Sequence, residues 1–180
     1  MEQSFFSLSS SWRRRIQSSG CTLSERYLYV SISGQSMALV EKDQILCTYP
    51  ISTSRFGIGS KEGSFMTPPG IHQVASKVGA GAPPYRIFRS RVDTGITWTA
   101  DIQEENLILT RIIRLKGCEK GVNKEGDIDS FKRYIYIHGT NREECIGTPL
   151  SHGCVCMRNE DIIELFDRIQ ENDLVIIDPQ

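Results

Sequence analysis

No charge of either sign dominates this 180-residue chain, in which 21 basic and 22 acidic side chains leave a formal charge of −1. A nucleic-acid role would rest on a local basic motif, and none is found. No apolar run approaches the roughly 20 residues of a membrane helix, so no membrane span is expected. The six cysteines include no C-x-x-C pair, which argues against a zinc ribbon or a thioredoxin-like site. A hydrophobic export core is missing too: Phe5, Phe6, Leu8 and Trp12 precede Arg13, Arg14 and Arg15 instead of following them, and Ile16 is the one large aliphatic between those arginines and Cys21. Ser19-Gly20-Cys21 echoes a lipoprotein cleavage box without the apolar stretch such a box needs. Residues 1–25 therefore read as a polar, partly disordered arm.

What is present is an ordinary globular composition, 39% hydrophobic and 24% charged, enough for one domain over residues 26–180 without internal repeats. Tyr27, Tyr29 and Ser31 alternate with Leu28, Val30 and Ile32, which predicts a strand. Met37–Val40 and Ile45–Tyr49 flank the turn-forming residues 41–44, which predicts a hairpin. Residues 54–70 hold four glycines and two prolines and read as a loop long enough to line a site. Further strands are expected at 71–77, 86–90, 107–113, 133–138 and 174–177. One helix is clear, about residues 159–170: Asn159 suits an N-cap, Glu160 and Asp161 suit the first turn, and Ile162, Ile163, Leu165, Phe166 and Ile169 form an apolar stripe. The expected fold is mainly β, an antiparallel β-sandwich-like domain with one C-terminal helix.

Chemistry concentrates near the C-terminus. His138-Gly139-Thr140 ends a predicted strand, and Ser151-His152-Gly153-Cys154 follows, with Cys156 two residues on. A free thiol of pKa about 8.5 is only slightly ionised at neutral pH, so a cysteine nucleophile needs a base, and a histidine supplies one. A turn at Gly153 lets backbone N–H groups of Gly153 and Cys154 converge on a developing oxyanion. The helix opening at Asn159 is close enough in sequence for its dipole to act on Cys154. Cys21, Cys47 and Cys118 read as packing residues, Cys145 as incidental and His72 as structural. The basic run at 13–15 reads as a solvated patch.

These residues resemble the L,D-transpeptidase catalytic domain, or YkuD, family, whose pattern is His, a spacer, then Ser/Thr-His-Gly-Cys. Tyr49–Ser54, Thr67–His72 and Tyr136–Thr140 resemble further segments of that domain, so the similarity covers about residues 26–178. The resemblance implies attack by Cys154 on the peptidoglycan stem peptide at the carbonyl of its third residue. D-Alanine would leave, and a thioester would pass to an amine acceptor. His138 would be base and then acid, and Gly153 and Cys154 would be backbone donors. Ser151, His152, Gly139, Thr140 and Arg158 would support the loop or contact the donor tetrapeptide. No cofactor, metal or nucleic acid is implied, and a monomer is expected. Water in place of the amine would give L,D-carboxypeptidase activity.

One departure stands out. Many members carry Arg two residues after the nucleophile, where this chain has Cys156, and a thiol cannot pair with a substrate carboxylate as a guanidinium does. Arg158 and Arg142 are candidates to compensate. Cys154 and Cys156 on an extended segment would have Cα atoms roughly 6.6 Å apart, at the upper edge of disulfide geometry, so an oxidised, silent pair is one expectation. Two readings from another class remain: a metal module of His138, Cys145, His152, Cys154 and Cys156, whose spacing fits no common structural zinc pattern, and a peptidoglycan-binding domain without catalysis. The family's substrate points to the cell envelope, whereas the lack of an export core points to the cytoplasm.

Overall fold

The computed structural model describes residues 6–180. Ten strands form one mixed sheet. They are β1 (Arg26–Ser31), β2 (Ser36–Glu41), β3 (Gln44–Pro50), β4 (Gly70–Val78), β5 (Arg86–Arg89), β6 (Val92–Thr97), β7 (Ile108–Gly117), β8 (Tyr136–Gly139), β9 (Val155–Met157) and β10 (Leu174–Asp178). The main path runs β3-β2-β1-β10-β4-β7-β5-β6, and β8 and β9 continue from the other edge of β7. Most pairings are antiparallel, but β1 with β10 and β8 with β9 are parallel. The β2–β3 hairpin turns at Lys42 and Asp43, both with positive φ (51° and 60°), the mirror-image turn that suits the twist of its strands.

The main core is built by side chains of β1, β2, β4, β7, β8, β9 and β10 together with the helix α2 (Asn159–Arg168). Leu28, Val30, Leu39, Val74, Ile113, Ile137, Val155, Met157, Leu165 and Val175 meet there, and α2 contributes Ile162 and Phe166 from the stripe seen in its sequence. β1 is buried at Tyr27, Leu28 and Val30, whereas β10 is buried along its whole length, because it lies inside the sheet with both faces covered.

Two expectations need correction. The segment read as a partly disordered arm contains a second helix, α1 (Ser10–Ser18), although residues 1–5 lie outside the described residues. Ser9 caps it by accepting the Trp12 N–H at 3.4 Å, and Trp12 and Ile16, one turn apart, are buried. Trp12 Nε1 donates to Asp178 at 2.8 Å, and the Arg15 guanidinium makes two 2.9 Å bonds to Glu119. Nine residues rich in Ser and Arg would not hold a helix alone; tertiary packing does so here. Secondly, Asn159 is the first residue of α2 and not its cap. The Glu143 carboxylate accepts the Asn159 N–H at 2.6 Å, while the Asn159 side chain donates to Thr140 O at 2.8 Å and accepts from Thr110 Oγ1. Among the described residues no helix is long and apolar enough to cross a membrane.

Candidate active site

The strand order brings His138 and the 151–156 segment together, because β8 and β9 run side by side with His138 in register with Cys156. A cavity of about 100 Å³ opens there, lined by Asn106, Ile108, His138, Thr140, Ser151, His152, Cys154 and Cys156. It has room for the reacting end of a peptide, a few times the volume of one water.

His138 is buried. Its Nδ1 lies 2.8 Å from Gly139 O, which fixes the hydrogen on Nδ1 and leaves Nε2 with its lone pair free. Burial pushes its pKa down to about 4, against the smaller opposing effect of that carbonyl, so the ring is neutral at pH 7. Gly139 allows close packing behind it: a Cβ there would sit 2.5 Å from Asn159 Oδ1 and 2.8 Å from Leu109 O.

Cys154 is half-buried and its thiol is free. Its Sγ donates to Tyr134 O at 3.6 Å, and burial raises its pKa to about 11, opposed by the Tyr136 N–H and the Arg133 charge. A second sulfur approaches His138: Cys156 Sγ lies 3.9 Å from Nε2. Cys156 is buried and its pKa is also raised, first by burial and then by Cys154. No disulfide joins the two.

Ser151 shapes the turn from inside, its Oγ accepting the Gly153 N–H at 3.1 Å and donating to Cys154 O at 2.5 Å. One expected oxyanion donor is therefore already engaged, while the Cys154 N–H has no acceptor among the described residues. Gly153 has φ +119°, and a Cβ there would meet Met66 O at 3.2 Å and Ile135 Cδ1 at 3.3 Å, so the turn requires glycine. Thr67 Oγ1 donates to Gly153 O at 3.1 Å, tying the glycine-rich loop to the motif.

His152 stands at the rim. Arg55 Nη2 donates to its Nε2 at 3.0 Å, and Phe56 and Phe65 pack around the ring with centroids 5.4 and 5.6 Å away. Thr140 lines the cavity and its Oγ1 accepts the Arg142 N–H. Arg158 is exposed and does not line the cavity, and Arg142 is paired with Glu144 and Cys145, so neither replaces the guanidinium missing at 156. Arg55, Arg133, Asn106 and Tyr134 were not singled out from sequence. Arg55 lies in the glycine-rich loop, Asn106 in a segment without a motif, and Arg133 and Tyr134 in a turn before the strand that was expected to start at 133 and starts at Tyr136. His72 is remote from the cavity, bonded to Gly70 O and Ser130 Oγ. No three His, Cys, Asp or Glu side chains among the described residues gather as a metal set.

The family model of the YkuD L,D-transpeptidase catalytic domain matches residues 25–177. A Bacillus licheniformis protein named as L,D-transpeptidase YkuD is 24% identical over 150 residues, which are 83% of this chain and 64% of the relative. A Bacillus subtilis protein named as L,D-transpeptidase YqjB is 46% identical over 45 residues, 25% of this chain and 26% of its own length. Among solved structures, the L,D-transpeptidase from Mycobacterium smegmatis superposes with a TM-score of 0.51 at 17% identity, covering 86% of this chain and 58% of that one. L,D-transpeptidase 3 from Mycobacterium tuberculosis gives a TM-score of 0.53 at 18% identity, covering 86% and 61%. The chain thus spans less than two thirds of the length of each of these relatives.

Proposed function

Because the chain belongs to the L,D-transpeptidase catalytic domain family, we propose that it cleaves the bond before D-alanine in a peptidoglycan stem peptide and transfers the acyl group to an amine. The observation that carries the reading is a free thiol, Cys154, lining one small cavity with a buried neutral histidine whose Nε2 lone pair is unprotonated.

In the first half-reaction the Cys154 thiol turns from the Tyr134 carbonyl into the cavity and gives its proton to His138 Nε2. Sγ attacks the carbonyl carbon of the third stem residue, and the oxyanion meets the Cys154 N–H. Collapse breaks the C–N bond; His138 returns the proton to the leaving D-alanine amine, and a thioester remains. The acceptor amine attacks, its proton passes to His138, and the thiol is regenerated. The thioester holds the acyl group between the two steps, so no cofactor takes part. Charge at the rim comes from Arg55, bonded to His152, and not from position 156.

Incubation with a disaccharide tetrapeptide, followed by mass spectrometry, tests the reading. A cross-linked dimer with free D-alanine is expected. Tripeptide plus D-alanine would assign water as the acceptor, and no change with folded protein would refute both. Cys154→Ala abolishes product formation; retained turnover would overturn the assignment of the nucleophile.

A further inference from the structure

The sulfur of Cys154 is wrapped by one short stretch of chain. Tyr134 O accepts its hydrogen at 3.6 Å, and Arg133 immediately precedes Tyr134. Arg133 is half-buried, and its guanidinium spends its donors on neutral carbonyls: Nη2 on Met66 O at 2.8 Å and Nη1 on Gly59 O at 3.3 Å. Met66 O is the atom lying 3.2 Å from where a Gly153 Cβ would be, so the clamp sits directly beneath the nucleophile turn. A guanidinium usually pairs with a carboxylate. Arg133 has no ion pair within 4.0 Å among the described residues; Glu62 acts on it only at longer range. Its charge is left unneutralised in a partly desolvated place, where field is weakly screened.

We propose that Arg133 is the positioning residue that makes Cys154 reactive, clamping the 57–67 loop under the Ser151–Cys154 turn and supplying the positive charge that a Cys154 thiolate meets. This rests on Cys154 being the nucleophile. The effect on the sulfur agrees: the Arg133 charge favours the thiolate, and Cys154 in turn favours the charged guanidinium.

The other groups facing this sulfur do not replace that charge. His138 is neutral, and Cys156 is a protonated thiol. Arg55 is exposed and committed to His152, and Arg91 to the Tyr136 hydroxyl. Arg114 lies over the Phe131 and Tyr134 rings, and Glu62 bears a charge of the opposite sign.

Alkylation of Cys154 by iodoacetamide reads the thiolate directly, since the sulfur anion displaces iodide. Peptide-resolved mass spectrometry follows it from pH 7 to 12.5 in the wild type, Arg133→Gln and Arg133→Lys, with the melting temperature measured alongside. In Arg133→Gln the midpoint is expected to rise by about one unit and the rate at pH 7.5 to fall about tenfold. In Arg133→Lys, which keeps the charge but loses the two-carbonyl fork, the rate stays within about threefold of wild type. An unchanged midpoint in a folded Gln variant, or an equal rise in the Lys variant, would overturn the proposal. Should the Gln variant fail to fold, the Lys variant decides alone by the same limits. The readout needs no stem peptide. A Cys154→Ala enzyme that still released D-alanine would refute the catalytic reading on which this one rests, whereas an unchanged midpoint in the folded Gln variant would refute the role of Arg133 alone.

Discussion

His72 and His138 show how a single neighbour decides what a buried histidine is free to do. Both are buried, both hold Nδ1 against a backbone carbonyl, and burial pushes each down to about 4. Their Nε2 atoms differ: that of His72 is satisfied by Ser130 Oγ at 2.9 Å, whereas that of His138 faces a thiol at 3.9 Å and keeps its lone pair available. Each ring is neutral in the folded protein and takes a proton near pH 6.5 when unfolded, so the unfolded state binds more protons as pH falls. Stability is thus full above about 6.5 and is lost on acidification toward about 4, by up to ~3 kcal/mol per histidine. Urea midpoints at pH 7 and 4.5 are expected to differ markedly in the wild type, and His72→Gln should flatten that difference by about half. Ser151 offers a second test at this scale. Its hydroxyl makes two bonds inside the turn, so Ser151→Ala should lose about 1–2 kcal/mol of stability and more than tenfold in product formation, with Ser151→Thr restoring both. Equal activity in all three would show that the turn does not depend on the hydroxyl.

The element whose role differs most from its sequence is α1. Its buried Trp12 packs with Leu8, Ile16, Tyr27, Ala38, Ile71 and Ile176, which makes the helix a cover over β1, β2 and β10. Trp12→Ala should therefore cost about 3 kcal/mol in chemical denaturation, as expected for a buried tryptophan, and a loss under 1 kcal/mol would mark α1 as a dispensable appendage. The helix was illegible because its signals are weak alone: a serine cap, two apolar residues four apart, and partners at Glu119 and Asp178 more than 100 positions away. Strands with clear alternation or dense aliphatic runs, β1, β2, β7 and β10, were legible, as was the β2–β3 turn. β9 has three residues, held by β8 on one side and by the Ser52–Cys156 bridge on the other, so no period can form in it. β6 is largely exposed and carries no apolar pattern to read. The N-terminus of α2 was legible in place but not in mechanism, since its capping carboxylate comes from Glu143, sixteen residues earlier.

At the scale of the molecule, the two chain ends close the same sheet. β1 near the start pairs in parallel with β10 at the end, and β10 also pairs with β4, so the last strand lies between segments formed about 100 or more residues earlier. The site is assembled on the other side of β4, where β7 carries β8 and β8 carries β9. Local spacing made His138 and the Ser151–Cys154 turn legible. Arg55, Asn106 and Arg133 depended on this closure and were not. An architecture dominated by distant pairings should also unfold as one unit. The two tryptophans report from opposite regions: Trp12 from α1 over β1 and β10, and Trp98 from the small cluster of Tyr85, Ile87, Leu107 and Leu109 beyond β7. In Trp12→Phe and Trp98→Phe, each with one indole left, fluorescence and far-UV circular dichroism should give coincident urea midpoints. An earlier transition from Trp12 would separate α1 from the cooperative core, and an earlier one from Trp98 would separate the β5–β6 hairpin, whose strands rest on β7 through only Ile87 and Phe88.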